Sequence, residues 1–163
     1  MKKACIFLLA AVLLAAGILS GCKKKNILFI RVMADTEVSA AMEALMEEYQ
    51  AAHKNVQMEA VYDESRTLFE RIKDLGEECD VFLTDSQDDM DILSVKRLLI
   101  DGTRKNLLTQ DTEEGRQVYL VAKVENRDTD IEQSEAVSDF IEYLTTDGAM
   151  EIFAQYGFKK YTE

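Results

Sequence analysis

The chain has 163 residues, of which 47% are hydrophobic and 31% are charged, and this composition excludes collagen-like, low-complexity and largely disordered proteins. Its formal net charge is −12 at pH 7, and an acidic surface without a basic stripe repels phosphate backbones. We therefore expect one globular domain and no nucleic-acid partner.

The beginning of the chain is typical of a bacterial lipoprotein leader. Two lysines precede an uncharged apolar stretch over residues 4–19, and small residues then come immediately before Cys22. The stretch is shorter than the roughly 20 residues that cross a bilayer, which argues against a simple membrane-spanning anchor. The residues before Cys22 resemble a lipobox, in which the cysteine thiol accepts a diacylglycerol. We predict a signal peptide over residues 1–21, lipidation of Cys22 and a lipid-anchored linker over residues 22–25.

This leader predicts a protein held at the extracytoplasmic face of the cell membrane, with residues 26–163 forming the folded part. Lys23, Lys24 and Lys25 follow the predicted anchor, and each can add about 1 kcal/mol of attraction to anionic lipid. A solubilising linker is an equally compatible role for these lysines. Cys79 is then the one thiol left in the folded part, and its apolar neighbours predict that it is buried.

The first half of the folded part alternates between strand and helix patterns. An apolar run over residues 26–33 predicts a buried strand, and apolar residues at helical spacing over residues 38–53 predict an amphipathic helix. Further strands are predicted over residues 56–62 and 80–84, and further helices over residues 67–75 and 87–97. The resulting βαβαβ order favours parallel strands with helices on the faces of the sheet.

The second half of the chain begins with a break in this pattern. Residues 108–116 are polar and acidic without periodicity, which predicts a surface loop. A strand over residues 117–124 and a second acidic loop over residues 125–133 follow. Two helices, over residues 135–144 and 148–156, close the chain. The predicted fold class is α/β, with three αβα layers and a mixed sheet of about four strands.

Catalytic, metal-binding and cofactor-binding patterns are weak in this sequence. His53 is the only histidine, so that no Ser–His or Cys–His relay can be assigned, and no glycine-rich phosphate loop occurs. Four aspartates, Asp85, Asp88, Asp89 and Asp91, do not have the spacing of an EF-hand loop. They favour a solvated acidic helix start. We expect no enzymatic activity, no metal site and no cofactor.

Hydroxyl side chains follow the first two predicted strands. Thr36 comes after the first strand and Ser65 after the second. Because the carboxyl ends of parallel strands meet at one edge of a sheet, we expect both hydroxyls beside helix N-termini, where free N–H groups and partial positive charge favour anions. Thr36 and Ser65 are therefore candidate ligands of an oxoanion. Simple N-capping at these two junctions is the alternative, since serine, threonine and aspartate are the preferred cap residues, and the spacing alone favours it.

Four sequence pieces resemble, in the same order, the molybdate-binding proteins of ABC importers, which are type II extracellular solute-binding proteins. Residues 32–45 and 63–68 are similar to the turns in which the family's serines bind the oxoanion, and Thr36 and Ser65 occupy those places. The other two pieces are residues 80–106, with the third strand and a Gly-Thr-Arg turn, and residues 136–158, with the closing helices. The resemblance implies one lobe of a periplasmic binding protein that binds molybdate or tungstate and contacts an ABC permease or another membrane component.

The chain departs from that family in its length. Family members carry a second lobe of about a hundred residues, roughly one domain, between the Gly-Thr-Arg turn and the returning strand. Only residues 108–116 stand in that place here. The resemblance therefore implies a single lobe without the closure that removes the ion from water, and an open half site binds weakly.

A second departure is the charge around the two hydroxyls. Asp35 and Glu37 flank Thr36, and Asp63 and Glu64 precede Ser65. At about 5 Å and an effective dielectric near 20, each such carboxylate opposes a bound anion by roughly 3 kcal/mol before solvent screening. The sequence leaves open whether an oxoanion, an internal carboxylate, or a cation or amine occupies the cradle.

Two functions follow from these observations. The first is an extracytoplasmic substrate-binding lipoprotein of an ABC importer that is reduced to one lobe. The second is a ligand-free interaction or scaffold lipoprotein derived from such a lobe, which docks to a membrane component or forms a homodimer.

Overall fold

The computed structural model describes residues 26–126 and 129–162. The predicted signal peptide, the lipidation site Cys22 and the lysine linker lie outside the described residues. In the part of the chain that is described, no helix is both long enough and apolar enough to cross a membrane.

Strands and helices alternate along the described residues, close to the predicted order. The strands are β1 (Leu28–Asp35), β2 (Val56–Asp63), β3 (Val81–Thr84), β4 (Lys105–Thr112), β5 (Gly115–Lys123) and β6 (Lys159–Lys160). The helices are α1 (Ser39–Ala52), α2 (Ser65–Leu75), α3 (Gln87–Val95), α4 (Ile131–Tyr143) and α5 (Asp147–Gln155), with a 3₁₀ turn over Thr36–Val38. The predicted βαβαβ unit is confirmed, since β1 to α3 follow one another as expected.

The strands form one mixed sheet in the order β2-β1-β3-β5-β4-β6. β1 runs parallel to both β2 and β3, whereas β5 is antiparallel to β3 and β4. In the register of the first pair, Asp35 lies opposite Asp63. The carboxyl ends of β1, β2 and β3 therefore meet at one edge, which we call the carboxyl edge, and the opposite edge, where these strands begin, is the amino edge.

The expected α/β class with helices on both faces of the sheet is confirmed. One apolar cluster packs side chains of α1, α4 and α5 against one face, with Leu45, Phe140 and Phe153 at its centre. A second cluster packs α2 and α3 against the other face and includes Phe69 and Met90. The sheet thus forms the middle of three αβα layers.

The expected strand number and one predicted loop are wrong. The sheet has six strands rather than about four, and residues 108–116 form the end of β4, the turn and the start of β5 instead of a loop. Cross-strand hydrogen bonds hold this hairpin, and its outer part is exposed, so the segment needs no apolar periodicity. β6 consists of two exposed lysines that pair with β4. These two residues show no strand pattern in the sequence.

Candidate functional site

Three strand-to-helix junctions meet at the carboxyl edge. β1 ends at Asp35, β2 ends at Asp63 two residues before Ser65, and β3 ends at Thr84, next to Asp85. Parallel pairing with β1 in the middle brings the three junctions side by side. The edge therefore assembles residues that are far apart in the sequence, as expected for a parallel α/β sheet.

The Asp35 carboxylate lies at the centre of these junctions and is only 8% exposed. Its Oδ2 accepts hydrogen bonds from the Ser65 hydroxyl at 2.6 Å and from the Ser65 backbone N–H at 3.0 Å. Its Oδ1 accepts a hydrogen bond from the Glu37 backbone N–H at 3.0 Å. Asp35 thus accepts from the starts of two helical segments at once, as an anion does at helix N-termini.

The Ser65 side chain is buried and has two partners. Its hydroxyl donates to Asp35 and accepts from the Asp85 backbone N–H at 3.2 Å. Ser65 is the first residue of α2, and the preceding residue, Glu64, makes no capping bond with its own side chain. The first backbone N–H of α2 therefore donates to an acceptor on β1, the carboxylate of Asp35, which lies 30 positions earlier in the chain.

The structure places Thr36 at the same edge but not in the same contact. Thr36 is exposed and begins the 3₁₀ turn, whose N-cap is Asp35. The capping alternative therefore holds with Asp35 as the capping residue, because Asp35 accepts from the N–H groups of Glu37 and Ser65, and Thr36 and Ser65 do not cap their own segments. A local sequence pattern cannot reveal a cap supplied by a neighbouring strand. Oxoanion binding by Thr36 and Ser65 stays a prediction.

β5 supplies a side of this site that the sequence reasoning missed. The Gln117 amide donates to the Asp85 carboxylate at 3.0 Å. The buried Tyr119 hydroxyl donates to the Gln110 side chain at 3.1 Å. Burial raises the pKa of Tyr119, and the nearby charges of Asp35 and Asp85 raise it further. Tyr119 therefore stays a neutral phenol at physiological pH.

The carboxyl edge keeps its acidic character in the folded protein. Glu37 and Glu64 are exposed, and Asp63 is partly buried, with its Oδ1 accepting from the Glu64 backbone N–H at 2.8 Å. Arg66 lies close by, but its guanidinium contacts Asp89 at 2.9 Å and Glu70 at 3.0 Å. These contacts engage the arginine outside the cradle, so it does not offset the charge of an incoming anion.

The four aspartates considered for calcium have separate surroundings. Asp85 accepts from Gln117, Asp89 pairs with Arg66, and Asp91 pairs with Arg104. Asp88 lies in the first turn of α3, whose N-cap is Ser86. Over residues 26–126 and 129–162, no group of three or more histidine, cysteine, aspartate or glutamate side chains could hold a metal ion.

His53 lies away from the carboxyl edge. It follows the last residue of α1, and its backbone carbonyl accepts from the N–H of Val56 at the start of β2. Its ring stacks on Tyr49 with 3.9 Å between ring centroids. The histidine is therefore at the amino edge, apart from the Asp35–Ser65 cluster.

Comparison with known protein families bears on the function of this site. The model of the bacterial extracellular solute-binding proteins matches residues 30–112, which is half of the chain. The chain belongs to this family. The match runs from β1 to β4 and so includes all three junctions of the carboxyl edge. A comparison with curated proteins yields no match.

Solved structures with the same fold include several substrate- and oxoanion-binding proteins. A chain described as the substrate-binding domain of a molybdenum ABC transporter from Clostridium difficile aligns with a TM-score of 0.71 and 15% identity, over 83% of this chain and 100% of that chain. The periplasmic molybdate-binding protein of Azotobacter vinelandii aligns with a TM-score of 0.68 and 8% identity, over 82% and 100%. A sulfate-binding protein from Mycobacterium tuberculosis gives a TM-score of 0.62 and 10% identity, over 82% and 87%.

These likenesses establish the fold and the broad class of the protein. The chain is a solute-binding domain with the fold of molybdate-binding proteins of ABC transporters. The chain is thus related to solute-binding proteins, which are non-enzymatic carriers, and its family is described as extracellular. Identities of 15% or less leave the ligand to be argued from the site itself.

Proposed function

We propose that this chain is an extracytoplasmic, lipid-anchored solute-binding lobe whose anion cradle is filled by its own Asp35. In this proposal it acts as an interaction or scaffold lipoprotein beside an ABC permease or another membrane component, and not as a carrier of free oxoanions. The observation that carries the proposal is the set of three hydrogen bonds that Asp35 accepts from Ser65 and Glu37.

The covalent attachment of Asp35 gives it an advantage over a dissolved anion. A tethered group competes at an effective concentration in the millimolar range or above, and hydrogen bonds to a charged group contribute about 1.5–3 kcal/mol each. An oxoanion would have to break these bonds and then remain beside the displaced carboxylate. We therefore expect the isolated domain not to bind molybdate, tungstate or sulfate.

The remaining parts of the proposal rest on the leader and on the family. The predicted lipidation of Cys22 supplies the membrane anchor, and membership of the solute-binding family supports an extracytoplasmic position. β4 and the turn after it are what this chain has where the resemblance puts a second lobe, between the Gly-Thr-Arg turn and the returning strand β5. We propose that this leaves the carboxyl edge available to a protein partner, either the membrane component or a second copy of the chain.

A second candidate function is oxoanion binding by Thr36 and Ser65. It is favoured by the exposure of Thr36 beside the cradle and by the Ser65 hydroxyl, which already donates to a carboxylate. In this case Asp35 would have to move aside when the ligand enters. The fold shared with molybdate- and sulfate-binding proteins supports it as well.

Calorimetric titration of the soluble segment from Lys23 onward separates the two functions. Molybdate, tungstate and sulfate are titrated at low salt, with calcium as the opposite-charge control. We expect no heat of binding with the unmodified domain and measurable oxoanion binding with Asp35→Ala, which empties the cradle. The double variant Asp35→Ala/Ser65→Ala should lose this binding again. Asp63→Ala is the matched control, since it removes the carboxylate opposite Asp35 without opening the cradle.

Each result decides between the proposals. Oxoanion binding by the unmodified domain that disappears in Thr36→Ala or Ser65→Ala would overturn the filled cradle and establish the second candidate. No binding by a folded Asp35→Ala domain, checked by circular dichroism, would show that Asp35 is not the barrier to the anion.

A further inference from the structure

Exposed apolar side chains gather at the amino edge, opposite the candidate site. Ile27 and Phe29, at the start of β1, are 53% and 52% exposed, and Ile131, at the start of α4, is 77% exposed. Gln133 joins the two segments, because its amide accepts from the Phe29 N–H at 3.2 Å and donates to the Phe29 carbonyl. The first turn of α4 is therefore held against the first residues of β1.

A groove of about 650 Å³ runs between these segments. Several polar groups that line it form hydrogen bonds or ion pairs within the protein. Glu78 pairs with Arg31. The buried Asp80 accepts from the Arg31 backbone N–H at 2.8 Å and from the Asn126 amide at 2.9 Å. Ile27, Phe29 and Ile131 thus expose apolar surface to solvent at this edge, beside exposed carboxylates such as Glu125.

The chain leaves the described structure at this same edge. Asn26 lines the groove, and Cys22 lies four positions before it. Because a residue spans at most about 3.6 Å, Cys22 lies within about 14 Å of Asn26 in any conformation. The carboxyl edge is at the other end of β1, which has eight residues and is therefore about 25 Å away.

We propose that the amino edge rests on the bilayer surface, with Ile27, Phe29 and Ile131 entering the headgroup region. This inference depends on the lipid anchor that is proposed above for Cys22. Apolar side chains at the interface reinforce a lipid anchor, and the positive charges of Lys23, Lys24 and Lys25, which directly follow Cys22 in the sequence, attract anionic lipid. The consequence is an orientation in which the carboxyl edge points away from the lipid, where a second copy of the chain or a part of the membrane component that projects from the bilayer can contact it.

The absence of tryptophan from the sequence allows a direct test. Single tryptophans are introduced at Phe29 and at Ile131, both exposed enough to accept the larger side chain. Glu113→Trp is the matched control, because Glu113 is exposed and lies in the β4–β5 turn beyond the carboxyl edge. Each full-length lipoprotein is reconstituted into phosphatidylcholine vesicles with and without lipids brominated on the upper acyl chain.

We expect brominated lipid to reduce the fluorescence of Phe29→Trp and Ile131→Trp at least about twofold and to leave Glu113→Trp unchanged. Equal quenching of all three variants, or none at positions 29 and 131, would overturn the proposed orientation. Mass spectrometry of Cys22 separates this failure from a failure of the anchor. A lipidated chain without quenching refutes the orientation alone, whereas an unmodified Cys22 refutes the anchor on which it rests.

Discussion

Asp35 connects several segments at the carboxyl edge, and no sequence motif indicates this role. It ends β1, caps the 3₁₀ turn that follows, and accepts from the first residue of α2. Free N–H groups at helix starts need an acceptor, and a carboxylate is the strongest acceptor that a side chain can offer there. One residue therefore connects two crossovers of the parallel sheet.

The first prediction concerns the stability that this carboxylate provides. Asp35→Asn keeps the size of the side chain but removes its charge and directs an amide group at donors. We expect it to lower the free energy of unfolding by about 2 kcal/mol, because charge-assisted bonds to a buried acceptor are lost. Urea denaturation of the soluble segment at pH 7 measures this loss.

Asp63→Asn is the matched control for this experiment. Asp63 lies opposite Asp35 in the register but is less buried, and its side chain accepts from the next residue in the chain, Glu64. We expect a cost below about 0.5 kcal/mol, as for most surface positions. Equal costs for the two variants would contradict the special position of Asp35.

At the scale of the element, two glycines differ in what their positions require. Gly76 ends α2 with a φ of 64°, in the left-handed region, and its N–H donates to the Arg71 carbonyl. Gly148 lies in the first turn of α5 without a positive φ. A Cβ at either position would meet no heavy atom within 4 Å, so a difference between them must come from the backbone.

The second prediction is that alanine has opposite effects at these two positions. Gly76→Ala should lower the free energy of unfolding by about 1 kcal/mol, because an L residue is strained at positive φ. Gly148→Ala should raise it by roughly 0.5 kcal/mol, because alanine loses less conformational entropy in a helix. Thermal denaturation of the two variants measures both effects, and a shift in the same direction would contradict the backbone argument.

At the scale of the whole molecule, burial raises the pKa of tyrosines in the helical layers and in the sheet. Burial, together with the nearby carboxylates of Asp139 and Glu48 respectively, raises the pKa of Tyr49 and Tyr143 to about 12. It also raises the pKa values of Tyr62 and Tyr119. The folded chain therefore holds more protons than the unfolded chain once the pH exceeds the ordinary tyrosine pKa of about 10.

The third prediction follows from the sign of these shifts. Since the folded state binds more protons in this range, the free energy of unfolding must fall as the pH rises from about 10 to about 12. Below the ordinary tyrosine pKa, the contribution of these tyrosines to the free energy of unfolding does not change with pH. Absorbance at 295 nm should show delayed tyrosine ionisation in the folded protein, and urea denaturation at several alkaline pH values should show the falling stability.

Tyr143→Phe is the control for this pH dependence. The variant removes one raised pKa, together with a hydrogen bond to Glu48 at 3.1 Å, and should reduce the alkaline slope of stability. A single ionisation step near pH 10 for all six tyrosines of the folded protein would contradict the prediction.

Much of the fold could be predicted because its helices bury one face each and its central strands are short apolar runs. The apolar run of β1 and the periodic apolar pattern of α1 indicate which of their residues are buried. The sequence patterns of β2, α2 and β3 do the same. The order of these elements is sufficient for a parallel βαβαβ unit. The sequence likewise indicates that Thr36 and Ser65 lie at one edge, because both follow strands of that unit.

The other features depend on which strands become neighbours. The β4–β5 hairpin and β6 are held by cross-strand hydrogen bonds, which require no apolar pattern. The bond from Ser65 to Asp35 joins residues 30 positions apart, and it forms because the register of β1 and β2 aligns their ends. By itself the sequence determined the βαβαβ unit and the acidic carboxyl edge. Only the tertiary structure decided that Asp35 accepts from both Ser65 and Glu37, since a hydrogen bond depends on distances that local periodicity does not specify.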